Sequence, residues 1–224
     1  MSFLNSIINN SKKFEEPFTH WELNKPLTDE MLEEITKADI ANPKQKNLSY
    51  DGTRAIDGGE GNFRQGISSG GKALKFRCFV NRENSKNFPH VSKLIKELQS
   101  KTTYKKISEM INKDLSGSFV RVEVICDRQG FWLKPHCDIE EKLISCLIFA
   151  NPFNESENLG TDLYEMRGGK LNKVKTVSYK NNYGYFFTSG PNAWHGMEKK
   201  EIKKERRCLQ VNYVSFKTDW KVQS

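Results

Sequence analysis

The spacing of apolar residues changes partway along the chain. Up to about residue 115 it is helical. "LTDEMLEEITKADI" sets Met31, Leu32 and Ile35 on one face, with Thr28 placed to cap the first turn. "PHVSKLIKELQSKTTYKKISEMINKDL" predicts two helices broken near Ser100–Thr103, with Val91, Leu94, Ile95 and Leu98 on the apolar face of the first. His90 follows Pro89, where a helix can begin, and reads as structural. Between these helices, "YDGTRAIDGGEGNFRQGISSGGKA" is glycine-rich and loop-like, and "LKFRCFV" reads as a strand.

From residue 117 the runs become short and strand-like. "SFVRVEVI" alternates and "KLISCLIFAN" is apolar throughout. "DLYEM", "KVKTVSY", "YGYFFTS" and "RRCLQVNYV" then follow at close intervals. Short strands separated by glycine and asparagine turns predict antiparallel sheets. The fold class expected is mainly β (α+β). A helical and loop N-terminal elaboration over 1–116 would lead into a jelly-roll core over 117–216, in a single domain spanning 1–224.

Composition changes this picture little. A hydrophobic fraction of 36% is low beside 29% charged residues, but 14 Phe, 7 Tyr and 4 Trp supply core material, so the chain reads as globular. No run approaches the roughly 18 apolar residues of a membrane span, and the N-terminus lacks the apolar stretch of a signal peptide. A soluble cytoplasmic protein is expected, with no membrane partner. The five cysteines, at 78, 126, 137, 146 and 208, show no CxxC spacing and suggest neither a disulfide framework nor a zinc ribbon. The net charge of +8 is not concentrated in one stripe. The most basic-looking stretch, "MEKKEIKKE" at 197–205, mixes four Lys with three Glu and reads as a solvated, mobile loop. Nucleic acid is not an expected partner.

One motif misleads. "GISSGGKA" at 66–73 satisfies GxxxxGK, but Ala73 stands where a magnesium-binding Ser or Thr belongs, and no strand pattern precedes it. A flexible loop is the better reading.

The candidate chemistry lies at the ends of the strands. His136 and Asp138 are separated by one residue, so on a strand they project side by side and Cys137 points away. A surface ion pair, an acid/base pair or two metal ligands would each fit. "FFTSGPNAWHG" adds His195 after an aromatic strand, and the return of a sheet can bring it to the same pocket. Two imidazoles and one carboxylate form the facial triad of non-haem iron(II) oxygenases, which leaves coordination positions open. Arg206 opens the next strand pattern and suits the far carboxylate of a chelating dicarboxylate. Cys208 shares its face, and Arg207 points to the other.

Residues 119–214 resemble the catalytic core of the 2-oxoglutarate- and iron(II)-dependent dioxygenases, on the prolyl-hydroxylase-like side of that superfamily. The resemblance rests on "GFWLKPHCD", "CLIFANPFNESENLGTDLY", "YFFTSGPNAWHG" and "RRCLQVNYV". It implies a double-stranded β-helix, with Fe(II) held by His136, Asp138 and His195 as the catalytic and metal-binding residues. It also implies 2-oxoglutarate as co-substrate, its C5 carboxylate held by Arg206. Dioxygen and a small-molecule or peptide substrate would be the remaining partners, and succinate and carbon dioxide the by-products. Cys208 stands where relatives often have Ser. Leu133 stands where many have a Tyr that touches 2-oxoglutarate, and Phe149 is the candidate to substitute for it. Two rival readings are kept. A cupin-like metal barrel without oxygenase activity usually uses more histidines than the four present. A nucleic-acid demethylase of this superfamily tends to carry an Arg where Asn212 stands.

Overall fold

The computed structural model describes residues 2–40, 67–69 and 75–223. Two antiparallel sheets face each other, and helices cover the outer side of the larger one. The larger sheet uses β1 (Ser11–Phe14), β2 (His20–Asn24), β10 (Tyr183–Phe187), β7 (Lys142–Ala150), β12 (Arg206–Val214), β5 (Phe119–Asp127), β4 (Lys75–Phe79) and β3 (Ile67–Ser69), in that spatial order. β13 (Trp220–Lys221) also pairs with β5. The smaller sheet runs β6 (Leu133–His136), β11 (His195–Met197), β8 (Thr161–Arg167) and β9 (Lys170–Val177). This is the expected mainly β jelly roll with flanking helices.

Strand alternation divides the core in two. Along β12, Leu209, Val211 and Tyr213 face the helices, while Arg206 and Cys208 face the smaller sheet. On the helical side, α1 (Phe3–Asn10), α2 (Asp29–Lys37), α3 (Pro89–Gln99) and α4 (Lys101–Ile111) bring Ile7, Ile35, Leu94, Leu98 and Ile107 onto Val124, Ile148, Leu209 and Val211. Thr28 caps α2, and the break between α3 and α4 falls at Ser100, which caps α4. The Glu34 carboxylate accepts the backbone N–H groups of His90 and Val91 at the start of α3. Between the sheets lie Phe149, Leu163, Val177, Tyr185, Phe187 and Met197. No helix among the described residues is long and apolar enough to cross a membrane.

Three features differ from the sequence reading. β1 and β2 lie where helix and loop were read, and they extend the large sheet beyond β10. "HWELN" alternates polar and apolar residues over only five positions: Trp21 and Leu23 face the helices, whereas the polar His20 and Glu22 are also buried and pair in register with Phe187 and Tyr185. Second, 197–205 is tied down. Lys200 reaches both oxygens of the buried Asp162 at 2.8 and 2.9 Å, and the Glu155 carboxylate accepts the N–H groups of Lys203 and Lys204. The Lys200 charge and the Lys203 and Lys204 amides have buried carboxylate partners that local composition does not reveal. Third, the glycine-rich 57–73 stretch lies outside the described residues apart from Ile67–Ser69, which form β3 against β4 where a loop was read.

Glu22 closes the open edge between the two sheets, accepting from Lys175 of β9 and Tyr183 of β10. Burial raises its pKa, but the nearby His20 imidazole and hydrogen bonds from Lys175 and Tyr183 outweigh that and bring it down to about 2. A depressed carboxylate contributes stability above its unfolded-state pKa and loses it as pH falls through the folded value. Glu22→Gln should therefore destabilise by about 1–2 kcal/mol above pH 5, after allowance for partial screening. Thermal unfolding at stepped pH should show that gap closing between about pH 4.5 and 2, the window set by its ordinary and lowered values.

Candidate metal centre

β6 and β11 pair so that His136 and His195 are direct Cα partners, which places their ring centroids 4.4 Å apart. Each ring is fixed the same way. Nδ1 of His136 meets the Lys134 carbonyl at 2.9 Å, and Nδ1 of His195 meets the Ala193 carbonyl at 2.9 Å. A carbonyl only accepts, so Nδ1 carries the proton and Nε2 presents its lone pair. Both Nε2 atoms turn toward Asp138, 3.9 Å from Oδ1 for His136 and 3.9 Å from Oδ2 for His195. That is too long for a hydrogen bond and leaves room for an ion between them.

Among the described residues, His136, Asp138 and His195 are the one such group whose ligand atoms all lie within 4.8 Å of one another. The donor set fits a divalent metal with nitrogen and oxygen ligands and open positions. Cys137 stands outside it, its thiol 3.2 Å from the Pro191 carbonyl. Burial, and then the Asp138 charge, push that thiol's pKa up.

Gly196 makes the strand pairing possible. A Cβ there would lie 2.7 Å from the Leu133 carbonyl oxygen and 3.0 Å from the Pro135 nitrogen, both backbone atoms. Gly196→Ala must push β11 off β6 and part the two imidazoles. Metal affinity should fall roughly 10- to 100-fold, the scale of losing a ligand-orienting contact. A metal titration beside a circular dichroism spectrum checks this, since the larger sheet, which contains neither strand, should survive.

Asp138 is held from behind. Lys142 Nζ, almost fully buried, lies 2.8 Å from Oδ1, and Ser145 Oγ donates to Oδ2 at 2.5 Å. Asn212 donates to Ser145 in turn at 3.1 Å. Neither Lys142 nor Ser145 stands out in the sequence. The signal was there in part, since both lie on the strand that follows HxD and Ser145 breaks an apolar run.

The pocket beside the cluster is lined by Asp138, His195, Leu133, Tyr185, Arg206 and Cys208, among others. Arg206 is buried at the end of β12. Its Nε donates to the Leu159 carbonyl at 2.5 Å, and its guanidinium carbon lies 5.2 and 5.6 Å from the rings of Phe149 and Tyr179. Its Nη1 donates to Asp127. Burial opposes the charge, but Asp127 first, with Cys208 and Tyr179, raises the guanidinium pKa above its usual value.

Arg207 points to the helical side, donating to Glu205 at 2.8 Å and to the Ala38 carbonyl at 2.7 Å behind α2. Phe149 supports the Arg206 guanidinium and is fully buried, but it does not line the pocket; Tyr185, which the sequence reading passed over, does. Burial pushes the Tyr185 phenol up, which keeps it a hydrogen-bond donor.

No family model matches this chain, and no curated protein matches it. Solved structures share its fold. A prolyl-4-hydroxylase from Pseudomonas putida aligns with a TM-score of 0.53 at 9% identity, covering 96% of this chain and 98% of that one. A prolyl hydroxylase from Trichoplax adhaerens, in complex with a hypoxia inducible factor oxygen degradation domain peptide fragment, aligns with a TM-score of 0.52 at 13% identity. That alignment covers 95% of this chain and 87% of that one. At these identities the likeness is one of fold.

Proposed function

We propose that the protein is an iron(II)- and 2-oxoglutarate-dependent dioxygenase that hydroxylates a small-molecule or peptide substrate. The observation that carries this is the His136, Asp138 and His195 cluster, two of whose members, Asp138 and His195, line one pocket with Arg206. When bound, iron would supply the coordination sites and electrons needed to couple oxidative decarboxylation of the 2-oxo acid to hydroxylation.

The chain's own residues do the rest. Both imidazoles offer Nε2, Lys142 and Ser145 hold the Asp138 carboxylate in place, and Arg206 receives the far carboxylate of the co-substrate. Phe131, Leu133, Phe187 and Met197 line the wall and keep water from the reacting centre. A peptide substrate is in keeping with the Trichoplax enzyme, which was captured with one. Recognition would then fall to the rim, where Ile139 is exposed next to Asp138.

Two observations favour a second reading, a cupin-like metal barrel without oxygenase activity. Arg206 already has a carboxylate partner, and Leu133 supplies no hydroxyl. Release of succinate from labelled 2-oxoglutarate by iron-loaded protein, stimulated by candidate substrates, separates the two. The dioxygenase releases succinate in step with product, and the barrel protein releases none.

A further inference from the structure

Arg206 lines the pocket already paired with Asp127, which lies behind it and outside the pocket lining, where a single cation would be the simpler device. Arg206 and Asp127 are Cα partners across β12 and β5, so both side chains leave the same face of the sheet. They meet there as a salt bridge, with Arg206 4% and Asp127 0% exposed. Water cannot screen a pair so enclosed, and each charge strongly affects what the other can bind.

We propose that Asp127 is a positioning residue for Arg206 that sets the co-acid selectivity of the site. By pairing with the guanidinium, it reduces the preference for a 2-oxo acid with a second carboxylate over one with a neutral tail. This rests on the 2-oxo-acid reading above. In a closed pocket, a lone guanidinium would separate the two tails by roughly 30- to several-thousand-fold, the scale of a desolvated charge pair. With Asp127 in place, an incoming carboxylate must share the guanidinium with a second anion in one desolvated site, where like charges disfavour each other. A neutral tail meets no such repulsion. The Leu159 carbonyl and the rings of Phe149 and Tyr179 hold the guanidinium against the pair, so it cannot swing toward the ligand alone.

The test uses manganese(II)-loaded protein, which is redox-silent, and calorimetric titration with 2-oxoglutarate or its methyl-ketone isostere 2,5-dioxohexanoate. Wild type should prefer 2-oxoglutarate by less than about tenfold. Asp127→Asn keeps an acceptor for Nη1 and removes the charge. It should tighten 2-oxoglutarate by about tenfold or more and leave the isostere within about threefold. A wild-type preference above about a hundredfold overturns the proposal, as does an Asp127→Asn variant whose 2-oxoglutarate affinity is unchanged or weaker. If that variant does not fold, the wild-type ratio alone decides. Protein that holds manganese yet takes up neither acid overturns the co-substrate reading and this proposal with it.

Discussion

Alanine at His136 or His195 should abolish stoichiometric iron(II) binding under anaerobic conditions, weakening it by about 100-fold or more. The two imidazoles face each other across paired strands, each with Nδ1 committed to a backbone carbonyl and Nε2 turned toward Asp138. Alanine therefore removes one of three donors without touching the strand pairing that sets the other two. The folded state should persist: His136 is partly exposed, and the ring contacts that His195 loses involve Phe187 and His136. Lys142→Met should act more weakly, by roughly 10- to 100-fold, because Lys142 orients a ligand and is not one. Equilibrium dialysis against iron(II) under nitrogen reads all three variants. Undiminished binding in either histidine variant removes the triad assignment.

Arg206→Ala should leave iron binding in place and reduce 2-oxoglutarate binding by roughly 30-fold or more. No metal donor is lost. On the proposed reading the loss is of the cation that would receive the far carboxylate, and Asp127 is left as a buried anion that would repel it. Breaking one side of a buried pair also destabilises a fold by about 3–5 kcal/mol, so thermal unfolding should be followed beside binding. Arg206→Lys keeps a charge at that position and should fold better, while losing the two-pronged geometry. Arg207→Ala provides the control on strand register. Its guanidinium holds the carbonyls of Ile35 and Ala38 behind α2, so it should lower stability and spare 2-oxoglutarate binding. The reverse pattern would place the co-substrate on the wrong face of β12.

The residues that bring the site together were legible in different degrees. His136 and Asp138 sit one residue apart beside a strand, and period-two geometry alone puts them on one face. His195 could be joined to them only as a candidate third ligand on a returning strand, because the β6–β11 pairing that makes it a partner is non-local. Asp127 shows the limit most clearly. It ends an alternating strand far from Arg206 in sequence, and only the β5–β12 register brings the two together. β1 and β2 were missed for a related reason. "HWELN" does alternate polar and apolar residues, but the run is only five residues long and lies between Pro17 and Pro26, and its pairing with the distant β10 is non-local. The 197–205 segment was misread from charge alone, since Asp162 and Glu155, which tie it down, lie elsewhere in the sequence.

The central claim is that one pocket binds iron(II) and 2-oxoglutarate together. The most direct measurement is an anaerobic titration followed by visible absorption, adding iron(II) and then 2-oxoglutarate to wild-type protein. A weak visible band should grow only when both are present, saturate at one equivalent of each, and be absent from the His136→Ala and Arg206→Ala variants. Wild-type protein that binds iron(II) stoichiometrically yet never develops the band with 2-oxoglutarate would contradict the account and favour the metal barrel without oxygenase chemistry.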